Sequence, residues 1–285
     1  MAVDTASELH LYSLPNEVFV QILTPFTVRE LLDLAAVSQR FHALVLRLLH
    51  YRLLLSAQLT DHKLILECYH PTSKLTEPYA FCKYLGTPGL SDKYEGEGSL
   101  YENIETAHKL GRLGALYSVF KPEEAEATLD DTVLKADALA VRRPVSIESF
   151  EDFYQLCVVV NVVKVLPGTD VILSAVGVED GVMRLFRAWL KSKADHTPDS
   201  QHLDDDGVLW VDQSKNVGLK FRVYEATKPD SDLPVLVHRD EETVSSYEIV
   251  IDELHIRTTC LLLAVEQSLR EQQSHPKAVI FTSMG

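Results

Sequence analysis

Cysteine is scarce and scattered: Cys68, Cys82, Cys157 and Cys260 are the only thiols among 285 residues. Spacings this wide do not make a disulfide scaffold, and reduced thiols fit an intracellular chain in the cytosol or nucleus. No Cys-x-x-Cys pair exists. His62, Cys68, His70 and Cys82 therefore read as separate residues and not as zinc ligands. Long apolar runs are missing too. The most apolar one, Leu156 to Leu166, is short, is broken by Asn161 and Lys164, and cannot span a bilayer. The first residues carry Asp4 and Glu8 and lack the positive-then-apolar order of a secretory signal. No basic cluster offsets a net charge of −15, which argues against nucleic acid as a partner.

Signatures of catalysis are also absent. There is no glycine-rich phosphate loop, no Gly-x-Ser-x-Gly elbow and no His-Glu-x-x-His, so no residue is assigned a catalytic, cofactor or metal-binding role. Asp204-Asp205-Asp206, near His202, are consecutive and do not have the alternate spacing that wraps a calcium ion; they read as a solvated acidic loop. His238-Arg239-Asp240-Glu241-Glu242 holds acid, base and donor, but neighbouring side chains on an extended strand point to opposite faces. That stretch reads as a connection. Cys157 and Cys260 read as buried small hydrophobes, Trp189 as the apolar face of a helix and Trp210 as core.

What is present begins near the N-terminus. Leu14-Pro15-Asn16-Glu17 predicts a helix from about Asn16, because proline is tolerated at a helix start and not inside one. Val18, Phe19, Ile22 and Leu23 give that helix one apolar face, and Pro25 ends it. Thr27 with Glu30 has the spacing of a capping box for a second helix rich in leucine. Ser38 caps a third, with Phe41, Leu44, Val45, Leu48 and Leu49 as its stripe. Three helices this small bury little, and their surplus of leucine implies a partner or the rest of the chain.

Residues 12–52 resemble an F-box, through Leu14-Pro15-x-Glu17, the Leu31-Leu32 pair and Val37-Ser38-x-Arg40-Phe41. The resemblance implies docking onto a Skp-type adaptor of a cullin–RING ubiquitin ligase, with the remaining chain choosing a protein substrate. It places Leu14, Pro15, Val18, Ile22, Leu23, Leu31 and Leu34 at or near the adaptor contact, with Val37 and Phe41 holding the helices together. Tyr51 stands where many F-boxes carry a tryptophan. Alternatives are an adaptor-bound complex with a non-degradative role, or an enzyme or sugar-binding module in the C-terminal half.

Beyond residue 52 the apolar period predicts helix on to Glu67, a rigid join to the rest of the chain. Pro71, Pro78, Gly86, Pro88, Gly89, Gly96 and Gly98 mark an irregular connection over 71–99. Helices are expected over 100–118 and 122–140, the second opened by Pro122-Glu123-Glu124. From about Val145 β-branched runs predict strands at 156–160, 171–176, 208–211, 219–224, 235–237, 247–251 and 258–263. A helix is expected over Val182–Lys193, and another is possible over Leu262–Gln272. The reading is α+β: residues 1–60 an F-box, 61–140 a helical and loop connection, and 141–285 a mixed helical and antiparallel, sandwich-like domain that recruits a protein.

Overall fold

Pro15 opens the first helix. In the computed structural model, which describes residues 13–90, 109–124, 140–166, 171–195, 207–226 and 245–274, α1 covers Asn16–Leu23. Thr24 and Pro25 then turn the chain, and α2 covers Val28–Ala35. The predicted capping box is in place: the Glu30 amide donates to Thr27 Oγ1 at 3.3 Å and the Thr27 amide to Glu30 Oε2 at 2.7 Å. Ser38 Oγ accepts the Phe41 amide at 3.3 Å and caps α3, Gln39–Gln58.

α3 is 20 residues long and serves two cores. Its first half, through Phe41, Leu44, Val45, Leu48 and Leu49, closes on Phe19, Val20, Leu23, Leu31 and Ala35. Its second half, through Leu53 and Ala57, packs on Leu90 and Leu262 in a separate cluster. Leu59 ends the helix in the left-handed conformation, φ 48°. The helix expected to reach Glu67 therefore stops at Gln58, and Lys63–Tyr69 is strand β1. Leu64, Leu66 and Cys68 enter the main core at every second position, a period that outweighs the helical reading.

The segment expected as helix and loop between residues 61 and 140 supplies two further strands, β2 (Ala80–Gly86) and β3 (Tyr117–Glu124). Of the helix expected over 100–118 only α4, Lys109–Gly114, is formed within the described residues. Of the helix expected over 122–140, residues 125–139 lie outside the described residues, and Pro122 itself opens no helix. It lies inside β3 opposite Cys82, past Phe120 where pairing with the next neighbour ends, so its missing N–H interrupts no ladder there. β4 (Val141–Ile147), β5 (Phe153–Val165), β6 (Ile172–Phe186), β7 (Val208–Trp210), β8 (Val217–Glu225) and β9 (Ser245–Arg257) complete the strands.

Two helix boundaries also move. Met183 and Leu185 are buried while Val182, Arg184 and Phe186 are exposed, a period of two that keeps 182–186 in β6. Helix α5 begins only at Arg187 and runs to Asp195. The run Thr258–Leu263, expected as strand, is the first part of α6, Thr258–Ser274, with Thr258 Oγ1 donating to the Leu116 carbonyl at 3.2 Å. The strand expected at 235–237 lies outside the described residues.

The strands form one antiparallel sheet in the order β6-β5-β1-β2-β3-β9-β8-β7, with β4 also paired to β9. β3 and β4 share one side of β9, Tyr117 facing Arg257 and Ile147 facing Ser245, while β8 lines the other. The fold is α+β, but in place of two packed sheets a single sheet curls until its ends meet. Gly181 in β6 approaches Val211, just after β7, so closely that a Cβ there would lie 2.4 Å from Val211 Cγ1. α5 helps fill the interior, with Leu190 fully buried and Trp189 edge-on to Phe221 at 6.5 Å. α6 rests on β5 and β6 through a polar chain: His62 Nε2 and Ser268 Oγ are 3.1 Å apart, Ser268 and Ser174 hydroxyls 2.7 Å, and Lys164 Nζ donates to Gln272 Oε1 at 2.9 Å. No described helix is long and apolar enough to cross a bilayer.

Candidate functional site

The two halves of the N-terminal motif, some twenty-five residues apart in sequence, touch in space. Arg40 donates from Nη2 to the Leu14 carbonyl and, from Nε and Nη2, to Asn16 Oδ1 at 3.1 and 2.9 Å. Its guanidinium lies 4.6 Å above the Phe19 ring, and Phe19 meets Phe41 edge-on at 5.4 Å. The Leu-Pro turn is thus fixed to the start of α3. Sequence reasoning assigned Arg40 no task; its place two residues after a cap and one before a buried aromatic was the available signal.

The seven residues expected at the contact divide by burial. Pro15, Val18 and Ile22 face solvent, Val18 and Ile22 being 37% and 43% exposed and one helical turn apart. Leu14 and Leu34 are half-buried at the margin of the helical core. Leu23 and Leu31 are inside it, Leu31 with no exposed surface, so they hold the helices in place beneath that face. Phe41 is buried as expected, whereas Val37 is 59% exposed and lies outside the helical core. Leu32, 47% exposed, and Phe26 at the α1–α2 turn add apolar surface that periodicity alone did not single out.

Behind this module Arg52 donates from Nη2 to the carbonyls of Thr24 and Phe26 at 2.8 and 2.7 Å. Arg52 thus ties down the turn between α1 and α2. Burial draws the Arg52 pKa below its usual value, and Glu266 of α6 opposes that shift. Glu266 Oε1 also accepts the Val28 amide, at the positive end of α2.

Among the described residues no cluster of three His, Cys, Asp or Glu could hold a metal ion. His62 bonds Ser268, His70 bonds Thr72 Oγ1 at 2.8 Å, and burial pushes the Cys68 thiol up to about 12. Cys157 and Cys260 are only partly buried, and Cys260 lies on a helix. Trp210 is half-buried against Tyr117, ring centroids 5.0 Å apart, at the sheet margin and not in the core. His202, the three aspartates at 204–206 and residues 238–242 lie outside the described residues.

Comparison with protein families matches the F-box-like model to residues 11–56, spanning α1, α2 and most of α3. Residues 11–56 are an F-box-like domain. The C-terminal region has no family match. No curated protein and no solved structure matches the chain.

Proposed function

We propose that this chain is the substrate-recruiting subunit of a cullin–RING ubiquitin ligase. Its F-box-like domain docks on a Skp-type adaptor, and its curled sheet holds a protein for modification. The observation that carries the reading is the solvent-facing Val18–Ile22 pair on a module whose core is otherwise closed, within the stretch that matches the F-box-like family. Apolar side chains left in water one turn apart on a small module are suited to burial against a partner. Pro15, Leu14 and Leu34 border the contact, while Leu23 and Leu31 support it from below.

The chain supplies no catalytic group in this reading. It holds one protein near an activated ubiquitin, and the gain comes from proximity. α3 suits that task because a single helix enters both the F-box-like core and the cluster shared with α6, so the two parts cannot swing independently. Cullin and RING subunits join through the adaptor, and the working compartment is cytosol or nucleus. The experiment is co-purification of adaptor, cullin and RING with the full chain, followed by depletion of the chain in cells. Proteins bound by the sheet should rise in abundance on depletion; unchanged levels with the complex intact would point to a non-degradative role.

A further inference from the structure

The end of the sheet remote from the F-box-like domain carries a cleft with an exposed aromatic ring at its edge. β1 begins at Lys63, just after α3, and Lys63 pairs with Val163 of β5. From Val163 back to Phe153, β5 travels about 30 Å at the usual rise per residue. At that far end lies a cleft of about 400 Å³ whose lining includes His70, Phe150, Glu151, Asp152, Phe153 and Tyr154.

Both walls are fixed. Arg143, 3% exposed, donates to the Cys68 carbonyl at 2.9 Å and the Pro78 carbonyl at 2.8 Å, and pairs with Glu77 at 3.0 Å. This anchors the 70–79 segment to the sheet. On the other side the Arg187 guanidinium donates to the carbonyls of Glu148 and Glu151, and its amide to the Asp152 carbonyl. The loop carrying Phe150 is held at its base while the Phe150 side chain stays 82% exposed. A large apolar ring in water on a pinned loop serves no internal packing.

Charge narrows the occupant. Glu151 and Asp152 line the cleft and, among the described residues, no lysine or arginine does. Of the neighbouring cations, Arg184 lies over the Phe153 ring at 5.1 Å and Arg187 binds the loop carbonyls. We propose that the cleft receives a peptide segment of the recruited protein in which a lysine or arginine lies within a few residues of a large apolar side chain. The apolar side chain packs on Phe150 and Phe153, and the cation pairs with Glu151 and Asp152. This rests on the reading of the chain as a recruiting subunit, whose substrate class it names.

The test pans a phage library of random twelve-residue peptides against the full chain and measures the winners by fluorescence anisotropy. The same preparation is assayed for adaptor binding, which reports separately on the first reading. Winners should place Lys or Arg beside Phe, Trp or Leu and bind more weakly as salt rises. Glu151→Lys/Asp152→Lys and, independently, Phe150→Ser should each weaken them by about tenfold or more. Val18→Glu/Ile22→Glu should leave them unchanged. All three variants alter solvated side chains and should melt like the parent. No enrichment, enrichment of acidic segments, or winners indifferent to both cleft variants would overturn the proposal.

Discussion

Arg52 and Glu266 meet across the junction of the F-box-like domain and the curled sheet, with Nη1 and Oε1 3.8 Å apart, while that same oxygen accepts the Val28 amide at 3.0 Å. One carboxylate of α6 thus faces both the cation that closes α1 and the first amide of α2. The side chains are 17% and 16% exposed, so water screens the pair less than a surface one.

Glu266→Ala removes the acceptor of the Val28 amide and leaves Arg52 partly buried without its anion. A loss of about 1–3 kcal/mol in unfolding free energy is expected, read from denaturant titration. Glu266→Gln, which keeps an acceptor, should lose less. Equal effects of the two would show that the charge carries the junction and the hydrogen bond does not.

The polar chain beneath α6 should make stability fall in mild acid. Burial lowers the His62 pKa, Lys164 adds to the shift and Asp61 opposes it, with Ser268 the facing hydrogen-bond partner. A lowered histidine pKa means the unfolded chain takes up the proton first. The stability from a neutral His62 is full above the unfolded value near 6.5 and is lost as pH falls below it toward the folded value. His62→Gln should therefore flatten the decline in melting temperature between about pH 7.5 and pH 5.5. Identical slopes for parent and variant would remove His62 from the account.

Where the ends of the sheet meet there is no room for a side chain at Gly181. A Cβ at Gly181 would overlap Val211 Cγ1 at 2.4 Å, so Gly181→Ala forces the β6 and β7 ends apart or displaces Val211. A cost of about 1–3 kcal/mol is expected. Gly181→Ala/Val211→Ala should recover part of it in a double-mutant cycle.

Leu31 separates support from contact in the F-box-like domain. With no exposed surface, Leu31→Ala should cost about 2–5 kcal/mol. Whatever adaptor affinity it loses should follow the lost fold, with both read by melting and binding at several temperatures.

The N-terminal helices were legible because each start has a local chemical signal: Pro15 through its ring and missing N–H, Thr27 with Glu30 and Ser38 through side chains bonded to backbone amides. The fate of Leu23 and Leu31 was not, since inward and outward leucines of a small module look alike until the helices pack. β1 was masked by running on from a leucine-rich helix, and β3 by Pro122, which its place beyond the β9 pairing makes tolerable. The curl of the sheet brings Gly181 against Val211, a contact between residues thirty apart that no local pattern encodes. The tasks of Arg40 and Arg52 were not legible, because their acceptors, the Leu14, Thr24 and Phe26 carbonyls and Asn16 Oδ1, are distant in sequence.

The central claim is that Val18 and Ile22 face an adaptor. Purified full chain should be titrated against a Skp-type adaptor by calorimetry, beside Val18→Glu/Ile22→Glu with its melting temperature checked. The account predicts binding by the parent and a loss of about tenfold or more in the equally stable variant. A folded parent that does not bind the adaptor, or a variant that binds it as well as the parent, would contradict it.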